Sequence, residues 1–487
     1  MSDRLSAADV AFLYLEGPTT PQHVGGLAVF TAPAGFDYDR LVRLIDERIA
    51  LAPRYRQKLR PVPGNLANPV WVDDADFDLN YHVRRSALPR PGTEAELLEF
   101  CGRIQSRGLD RSRPLWEMYL VEGLAGGRVA IVTKTHPSMV DGTGADGGVD
   151  ITEVLFDESP EPRRTVAAQW RPRRAPSSVR LVAEAGCGLL RSPRTLADTV
   201  RLTTREARST NGWLTASVGG LAEALVGTVN RSNRPSRRSP LRAELGQHRR
   251  IAIARAGLDD FRQIRAWRSG TVHDAILAVV AGALRAWLAA RGEPLAPTTT
   301  VRAMVPVGVH GPDRAGWTRS SRVAALLIDL PVGEPDPVRR LTRVQYAMAA
   351  HSASEPVGAD ALVGLSGFAP PTLHSLSARA AHGLTRRMYD IAVTNVPGPQ
   401  LPLYAAGAQL AEMFPIMPLT DGHALSIGLT SYDGRVCFGV NADRNAVPDV
   451  DEVGNLLAVA LAELMAACRP ADIEPGRRRR RRHEPQS

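Results

Sequence analysis

The sequence predicts an α/β chain built as two mixed strand-and-helix lobes on either side of a basic, partly helical connector. Three observations carry that prediction. At 487 residues the chain exceeds what one ordinary core fills, so two or three lobes are expected. Hydrophobic residues at 44% and charged residues at 23% are globular proportions. Between Arg163 and Arg250 stand 18 arginines against five acids, and this stretch separates two regions in which strand and helix patterns alternate. The lobes are expected at 1–160 and 250–470, the connector at 161–249, and a disordered Arg-rich tail at 471–487.

In the first lobe, helical spacing runs from Ser6 to Leu15 and Gly25 to Phe30 reads as an apolar strand. A helix is expected from Tyr38 to Leu51, stopped by Pro53. Trp116–Leu124 and Arg128–His136 read as strands across the turn signal Ala125-Gly126-Gly127. Alternation of Val129, Ile131, Thr133 and Thr135 supports the second of them. A glycine-rich helix is expected over Asp141–Phe156, its first turns loosened by Gly142, Gly144, Gly147 and Gly148. Pro160–Pro176 and Arg231–Pro240 are polar links, with helical stretches such as Leu214–Val229 between them. The second lobe opens with the strand Ile251–Ala254 and a long apolar helix, Thr271–Arg291. Arg302–Val309, Ser321–Leu330 and Ile391–Asn395 read as strands. Ala424–Thr430 and Arg435–Asn441 form a hairpin across Tyr432-Asp433-Gly434, and Val450–Cys468 is the closing helix.

Composition excludes several functions. Cys101, Cys187, Cys437 and Cys468 have neither metal-type spacing nor a disulfide framework, which fits a reducing cytoplasm and no metal. No run reaches the roughly 18 apolar residues of a membrane span, and Met1-Ser2-Asp3-Arg4 does not open like a secretory leader. Lys58 and Lys134 are the only lysines, so the arginines reflect overall usage rather than a recognition device. The connector and Arg477–Arg482 fit a solvated or anionic-lipid-facing surface. No aromatic interleaving points to nucleic acid, and Gly364-Leu365-Ser366-Gly367 lacks the spacing of a serine-hydrolase elbow.

The segment most informative about chemistry is Lys134-Thr135-His136-Pro137-Ser138-Met139-Val140-Asp141-Gly142, at the end of a strand, where a reactive group is fixed by the strand and exposed by the loop. It resembles the His-His-x-x-x-Asp-Gly signature of the wax ester synthase/diacylglycerol acyltransferase family, with Pro137 at the second histidine. Other stretches resemble the same family in order. They include Phe12–Glu16 with Thr19–Pro21 and His23–Leu27, Pro69–Asp74 with Phe77–Leu79 and His82–Arg84, and Leu109–Glu117 with its Pro-Leu-Trp. In the second lobe, Thr271-Val272-His273-Asp274 resembles a Thr-Val-Asn-Asp motif with His273 in place of asparagine, and Asn395-Val396-Pro397-Gly398-Pro399 resembles a late motif. The similarity spans roughly Ser6 to Cys468.

The resemblance implies two chloramphenicol-acetyltransferase-like lobes with a tunnel between them. It also implies acyl transfer from acyl-CoA to diacylglycerol or a long-chain alcohol, with acyl-CoA as co-substrate and no cofactor. Carrier-dependent condensation domains share the signature, but the Pro-Leu-Trp and Asn-Val-Pro-Gly-Pro blocks argue against that branch. The family's base is the histidine aligned with Pro137, whose side chain has no lone pair. His136 becomes a candidate base only if the strand end is bulged or re-registered, because strand neighbours otherwise face opposite sides. Asp141 and Gly142 are expected to orient the loop. Asn395, His273 and Trp116 are candidate substrate-binding residues, against capping for His273, core packing for Trp116 and a lobe-holding role for Asn395. His423 has the same ambiguity. The expected setting is cytoplasmic, peripheral to a membrane or lipid droplet. The alternative is a catalytically degenerate homologue that binds acyl-CoA or lipid.

Overall fold

The computed structural model describes residues 3–5, 7–32, 36, 38–140, 150–163, 170–191, 239–309, 322–352 and 388–469. The first lobe runs through α1 (Ala7–Leu15), β1 (Val24–Thr31), α2 (Tyr38–Arg48), β2 (Gln57–Arg60), β3 (Val70–Asp73), α3 (Leu79–His82) and β4 (Val83–Ala87). It continues through α4 (Glu94–Gln105), β5 (Trp116–Glu122), β6 (Arg128–Thr135) and α5 (Ile151–Leu155), and α6 (Ser178–Arg191) follows. The second lobe holds β7 (Arg249–Gly257), α7 (Leu258–Arg268), α8 (Val272–Ala290), β8 (Val301–Val309), β9 (Arg322–Leu330) and α9 (Pro337–Ser352). It ends with β10 (Ile391–Pro397), β11 (Tyr404–Ala405), β12 (Ala408–Ile416), β13 (Leu425–Tyr432), β14 (Arg435–Asp443) and α10 (Val450–Cys468).

The two large sheets have six strands each, in the orders β11-β12-β1-β6-β5-β4 and β7-β14-β13-β10-β8-β9. One feature departs from a simple division at residue 250. β11 and β12, late in the chain, belong to the first lobe's sheet, with β12 antiparallel to β1 from Gly25↔Ile416 to Thr31↔Gln409. Alternation along β12 puts Leu410, Phe414 and Ile416 in the interior and leaves Gln409 exposed. The period-2 pattern alone would not reveal which sheet it joins.

β6 shows how the first sheet is filled on both faces. Val129 and Ile131 face one core, and Ala130 and Val132 face another. The second of these cores also takes Ile251 and Cys437 from the other lobe, so it is the seam between lobes. α4 borders the seam: a Cβ on Gly102 would lie 2.7 Å from the Arg249 carbonyl oxygen, so this glycine lets helix and strand approach. Ser106 Oγ on the turn after α4 accepts from the Arg249 amide at 2.8 Å. Arg249 also pairs with buried Asp443 at 3.4 Å and donates to the Thr19 carbonyl of the first lobe. Arg255 reaches Glu412 on β12 through two bonds of 2.6 and 2.9 Å. Burial alone would raise the Glu412 carboxyl, but this fork from Arg255 holds it below its ordinary range.

In the second lobe α8 is apolar nearly all round and buried from Asp274 through Leu284, as a helix without a polar face is when it runs through a packed core. It is the one helix among the described residues long and apolar enough to cross a membrane, and it packs instead against α10 and α9. Its N-terminus is set by Thr271 and Asp274, which exchange capping bonds of 3.1 and 2.7 Å. The helix expected over Asp141–Phe156 is described only as Ile151–Leu155. Leu214–Val229 and the tail Arg477–Arg482 lie outside the described residues.

Contact across the lobes is close enough to require glycine. A Cβ on Gly439 of β14 would lie 2.1 Å from the Pro415 carbonyl oxygen of β12, while one on Gly108 would meet nothing within 4 Å. Gly439→Ala is therefore expected to cost about 1–3 kcal/mol and Gly108→Ala almost nothing. Urea unfolding of the two variants beside the native chain checks this, and equal midpoints would disprove the packing account.

Candidate active site

The signature strand ends as regular backbone, without a bulge. The His136 amide donates to the Leu115 carbonyl at 2.9 Å, extending the β5–β6 pairing by one residue. His136 itself is extended (φ −72°, ψ 136°), as the residue before a proline prefers. Pro137 begins a single 3-10 turn, Pro137–Met139, at a position whose N–H would be unpaired anyway. By the period of two, His136 lies on the same face as Lys134.

The His136 ring is 1% exposed. Its Nδ1 accepts from the Ser138 amide at 3.2 Å and faces the Ser138 hydroxyl at 2.7 Å. A neutral imidazole with Nδ1 as acceptor carries its proton on Nε2, and His136 Nε2 is buried without a partner. Burial lowers the ring's pKa to about 4. Glu16 works in the opposite direction, and Arg111, which clamps Glu16 at 2.6 Å, adds to the lowering.

Behind the strand end lies a polar cluster that sequence reasoning missed. Lys134 is 1% exposed, donates to the Arg107 carbonyl at 2.6 Å and pairs with Glu117 at 3.5 Å. Burial pulls its pKa down and Glu117 pulls it up, with a net lowering. Glu117 also accepts from Tyr119 at 2.9 Å and Arg84 at 3.3 Å, so the carboxylate is satisfied from three sides. His23, next to Val24, which pairs with Thr135, is buried and its pKa is held well below the ordinary value, by burial first and then Lys134. Gln105 lies across Gly25, where any Cβ would fall 2.2 Å from its amide nitrogen. The available signal was Lys134 itself, a cation one residue out of phase with the polar positions Thr133 and Thr135.

His273 and Asn395, chosen separately from the sequence, come together: Asn395 Nδ2 is 3.0 Å from His273 Nδ1. His273 sits in the first turn of α8, and Asn395 shares the helix-facing side of β10 with Ile391 and Val393. The preceding loop is tightly determined. Ser269 has φ 59° and ψ −170°, a conformation costing a non-glycine residue about 1–3 kcal/mol. Gln345 on α9 holds its carbonyl at 3.0 Å. His273 Nε2 is buried with no partner, and burial lowers the ring's pKa against an opposing pull from Asp274.

Other candidates take structural places. Trp116 is in the packed core, not at a substrate surface: its indole N–H donates to the Tyr55 carbonyl at 2.8 Å and its face stacks on His82 at 4.7 Å. His423 has both nitrogens engaged, with Thr420 at 3.0 Å and the Tyr389 carbonyl at 2.9 Å. Asp141 and Gly142 lie outside the described residues. Among the described residues no group of three or more His, Cys, Asp or Glu side chains is placed to hold a metal, and the four cysteines are free.

Two mixed sheets meeting at a seam, with the signature strand end in the first, define a two-lobed condensation-domain-like scaffold. The first condensation domain of the calcium-dependent antibiotic synthetase shares that fold, with a TM-score of 0.57 at 15% identity over 96% of this chain and 97% of its own. A wax ester synthase/diacylglycerol acyltransferase from Marinobacter aquaeolei VT8 superposes with a TM-score of 0.66 at 28% identity, covering 96% of this chain and 99% of its own. Residues 5–276 match the wax ester synthase/diacylglycerol acyltransferase catalytic domain and residues 320–465 the corresponding C-terminal domain. The chain belongs to the wax ester synthase/diacylglycerol acyltransferase family. A Mycobacterium tuberculosis relative named as a diacylglycerol O-acyltransferase, tgs2, is 31% identical over 96% of this chain and 99% of its own. A second so named, tgs3, is 42% identical over 55% of this chain and 96% of its own.

The low pKa of His136 has a sign that can be checked. Its folded value of about 4 lies below the ordinary 6.5. The neutral ring's contribution is therefore fully present above pH 6.5 and is lost as pH falls through that value toward 4. At the acid end the loss is about 3 kcal/mol. His136→Gln should flatten the acid limb of stability relative to the native chain. Parallel acid limbs in denaturant titrations would remove the assignment.

Proposed function

We propose that this chain is an acyl-CoA-dependent O-acyltransferase that moves a fatty acyl group onto diacylglycerol or a long-chain alcohol. The observation that carries the reading is the match of the family's catalytic domain to residues 5–276, supported by tgs2, matched over nearly its whole length and named for that transfer. The reaction joins a hydroxyl oxygen to a thioester carbon, expels the CoA thiolate and moves one proton from the hydroxyl to that sulfur. His136 acts in this reading as a strut, because the lone pair on Nδ1 is taken by an amide that can only donate.

A second reading, a degenerate homologue that binds acyl-CoA or lipid without turnover, is favoured by Pro137 together with the occupied His136 ring. Radiolabelled acyl-CoA with diacylglycerol or hexadecanol separates the two. The native chain is expected to form ester, and His136→Gln to retain most of that activity. An inert native chain beside an active Pro137→His variant would establish the degenerate reading instead.

The reading also places the protein in the cytoplasm, peripheral to an anionic membrane or droplet surface. Val179 is 80% exposed on α6 beside Arg180, and the connector around it is rich in arginine. Each arginine near such a surface contributes about 1 kcal/mol. Binding to phosphatidylglycerol vesicles at low salt, released as salt shortens the Debye length, is the expected result. Failure to co-float at low salt would sink the placement.

A further inference from the structure

Ester formation needs a base with a free lone pair. Pro137 has none, and His136 has committed its own to the Ser138 amide. Among the other histidines whose side chains are described, His423 uses both nitrogens, His82 is bonded to the Trp116 carbonyl between stacked rings, and His23 is sealed beside Lys134. His248 is on the surface. His23, like His273, has one nitrogen buried without a hydrogen-bond partner, but the Lys134 ammonium beside it opposes a proton on its ring. At His273 the neighbouring charge is Asp274, which favours the protonated ring, and the other nitrogen meets the Asn395 amide from a separate element.

We propose that His273 is the general base of this chain and that Asn395 is its positioning residue. Resting on the acyltransferase reading, this adds where the proton goes. Beside the motifs the sequence resembles, Pro137 stands where a histidine is expected and His273 where an asparagine is expected. Asn395 is suited to hold a ring that cycles between protonation states. With Nδ2 toward the ring it donates to Nδ1, and after a half-turn of the amide its Oδ1 accepts from Nδ1–H at the same point. In the second state Nε2 presents a bare lone pair.

The surroundings keep the ring fixed and neutral. The Thr271–Asp274 capping box and the Gln345 bond to Ser269 fix the turn that carries it, and the helix N-terminus disfavours imidazolium. The pair also lies one strand from the contact between lobes. Asn395 pairs with Leu429 of β13, and the adjacent Gly428 lies against the Pro415 carbonyl of β12. In the step, Nε2 takes the hydroxyl proton as the alcohol oxygen bonds to the thioester carbon. The adduct collapses with cleavage of the C–S bond, and the imidazolium returns the proton to the thiolate. The products are ester and free CoA, with no other reactant consumed.

The test uses the full chain, radiolabelled acyl-CoA and hexadecanol or diacylglycerol. His273→Asn is expected to lower kcat by about 100-fold or more, with little change in KM for acyl-CoA. The double variant Pro137→His/His273→Asn, which restores the family pattern, should regain most of it. Asn395→Asp should move the acid limb of kcat/KM to higher pH, because a carboxylate favours imidazolium; a merely structural asparagine would leave the limb in place. Should His273→Asn unfold, His273→Gln serves as the second variant with the same expectation. Native kcat and an unmoved acid limb in folded His273 variants would overturn the proposal and leave the acyltransferase reading standing. An inert native chain with an active Pro137→His single variant would also overturn it, showing a competent scaffold without a working base. No ester from either chain would overturn the acyltransferase reading itself, and the base with it.

Discussion

The structure hangs on the ladder between β12 and β1. Gln409–Ile416 pairs with Gly25–Thr31 although the two segments are separated by most of the chain. Closing so long a loop costs only slightly more than closing a shorter one, because the entropy grows with the logarithm of length. The ladder's two strands come from opposite ends of the chain and pair in one sheet, so it ties the two lobes together. Once it is in place, Pro415 lies against Gly428 and Gly439, Arg255 finds Glu412, and Arg249 reaches both Asp443 and Thr19. The lobes then meet along a seam fixed by backbone pairing and buried charge as well as by apolar contact.

That rigidity reaches the signature strand through β1, whose other edge pairs with β6. At the end of β6 the interior must accommodate a lysine, and it does so with a carbonyl and a carboxylate that is itself held by Tyr119 and Arg84. The proline that follows His136 disturbs none of this. Its fixed φ suits the first position of the 3-10 turn, and the extended His136 suits a residue before proline. Pro137 thus fits the backbone it stands in, while its side chain offers no lone pair.

Much of this was legible in the sequence. The closing helix Val450–Cys468, the hairpin at Tyr432–Gly434 and the strands flanking Ala125–Gly127 follow from periodicity and turn residues, and the structure agrees within a few residues. The assignment of β12 to the first sheet was not legible, because alternation says which face is buried and never which neighbour is paired. Helix α4 was also missed, although Thr93 and Glu96 form a capping box ahead of an apolar stripe through Leu97, Cys101 and Ile104. At the site, motif order pointed to His273 and Asn395 separately. Their contact joins residues far apart in sequence, which spacing cannot report. Lys134 could have been found, since one charge out of step in an alternating strand has to be paired.

His136 and His273 show why a lowered pKa does not identify a base. His136 and His273 are both held neutral chiefly by burial, and both leave Nε2 without a partner. They differ in what faces Nδ1. A backbone amide is a donor in every protonation state, so the Ser138 N–H opposes a proton on Nδ1 of His136 and keeps the ring in one tautomer. An asparagine amide offers a donor and an acceptor at the ends of one rotor, so His273 can keep its hydrogen bond to Asn395 while the ring gains and loses a proton. The chemistry of the partner therefore separates a strut from a relay.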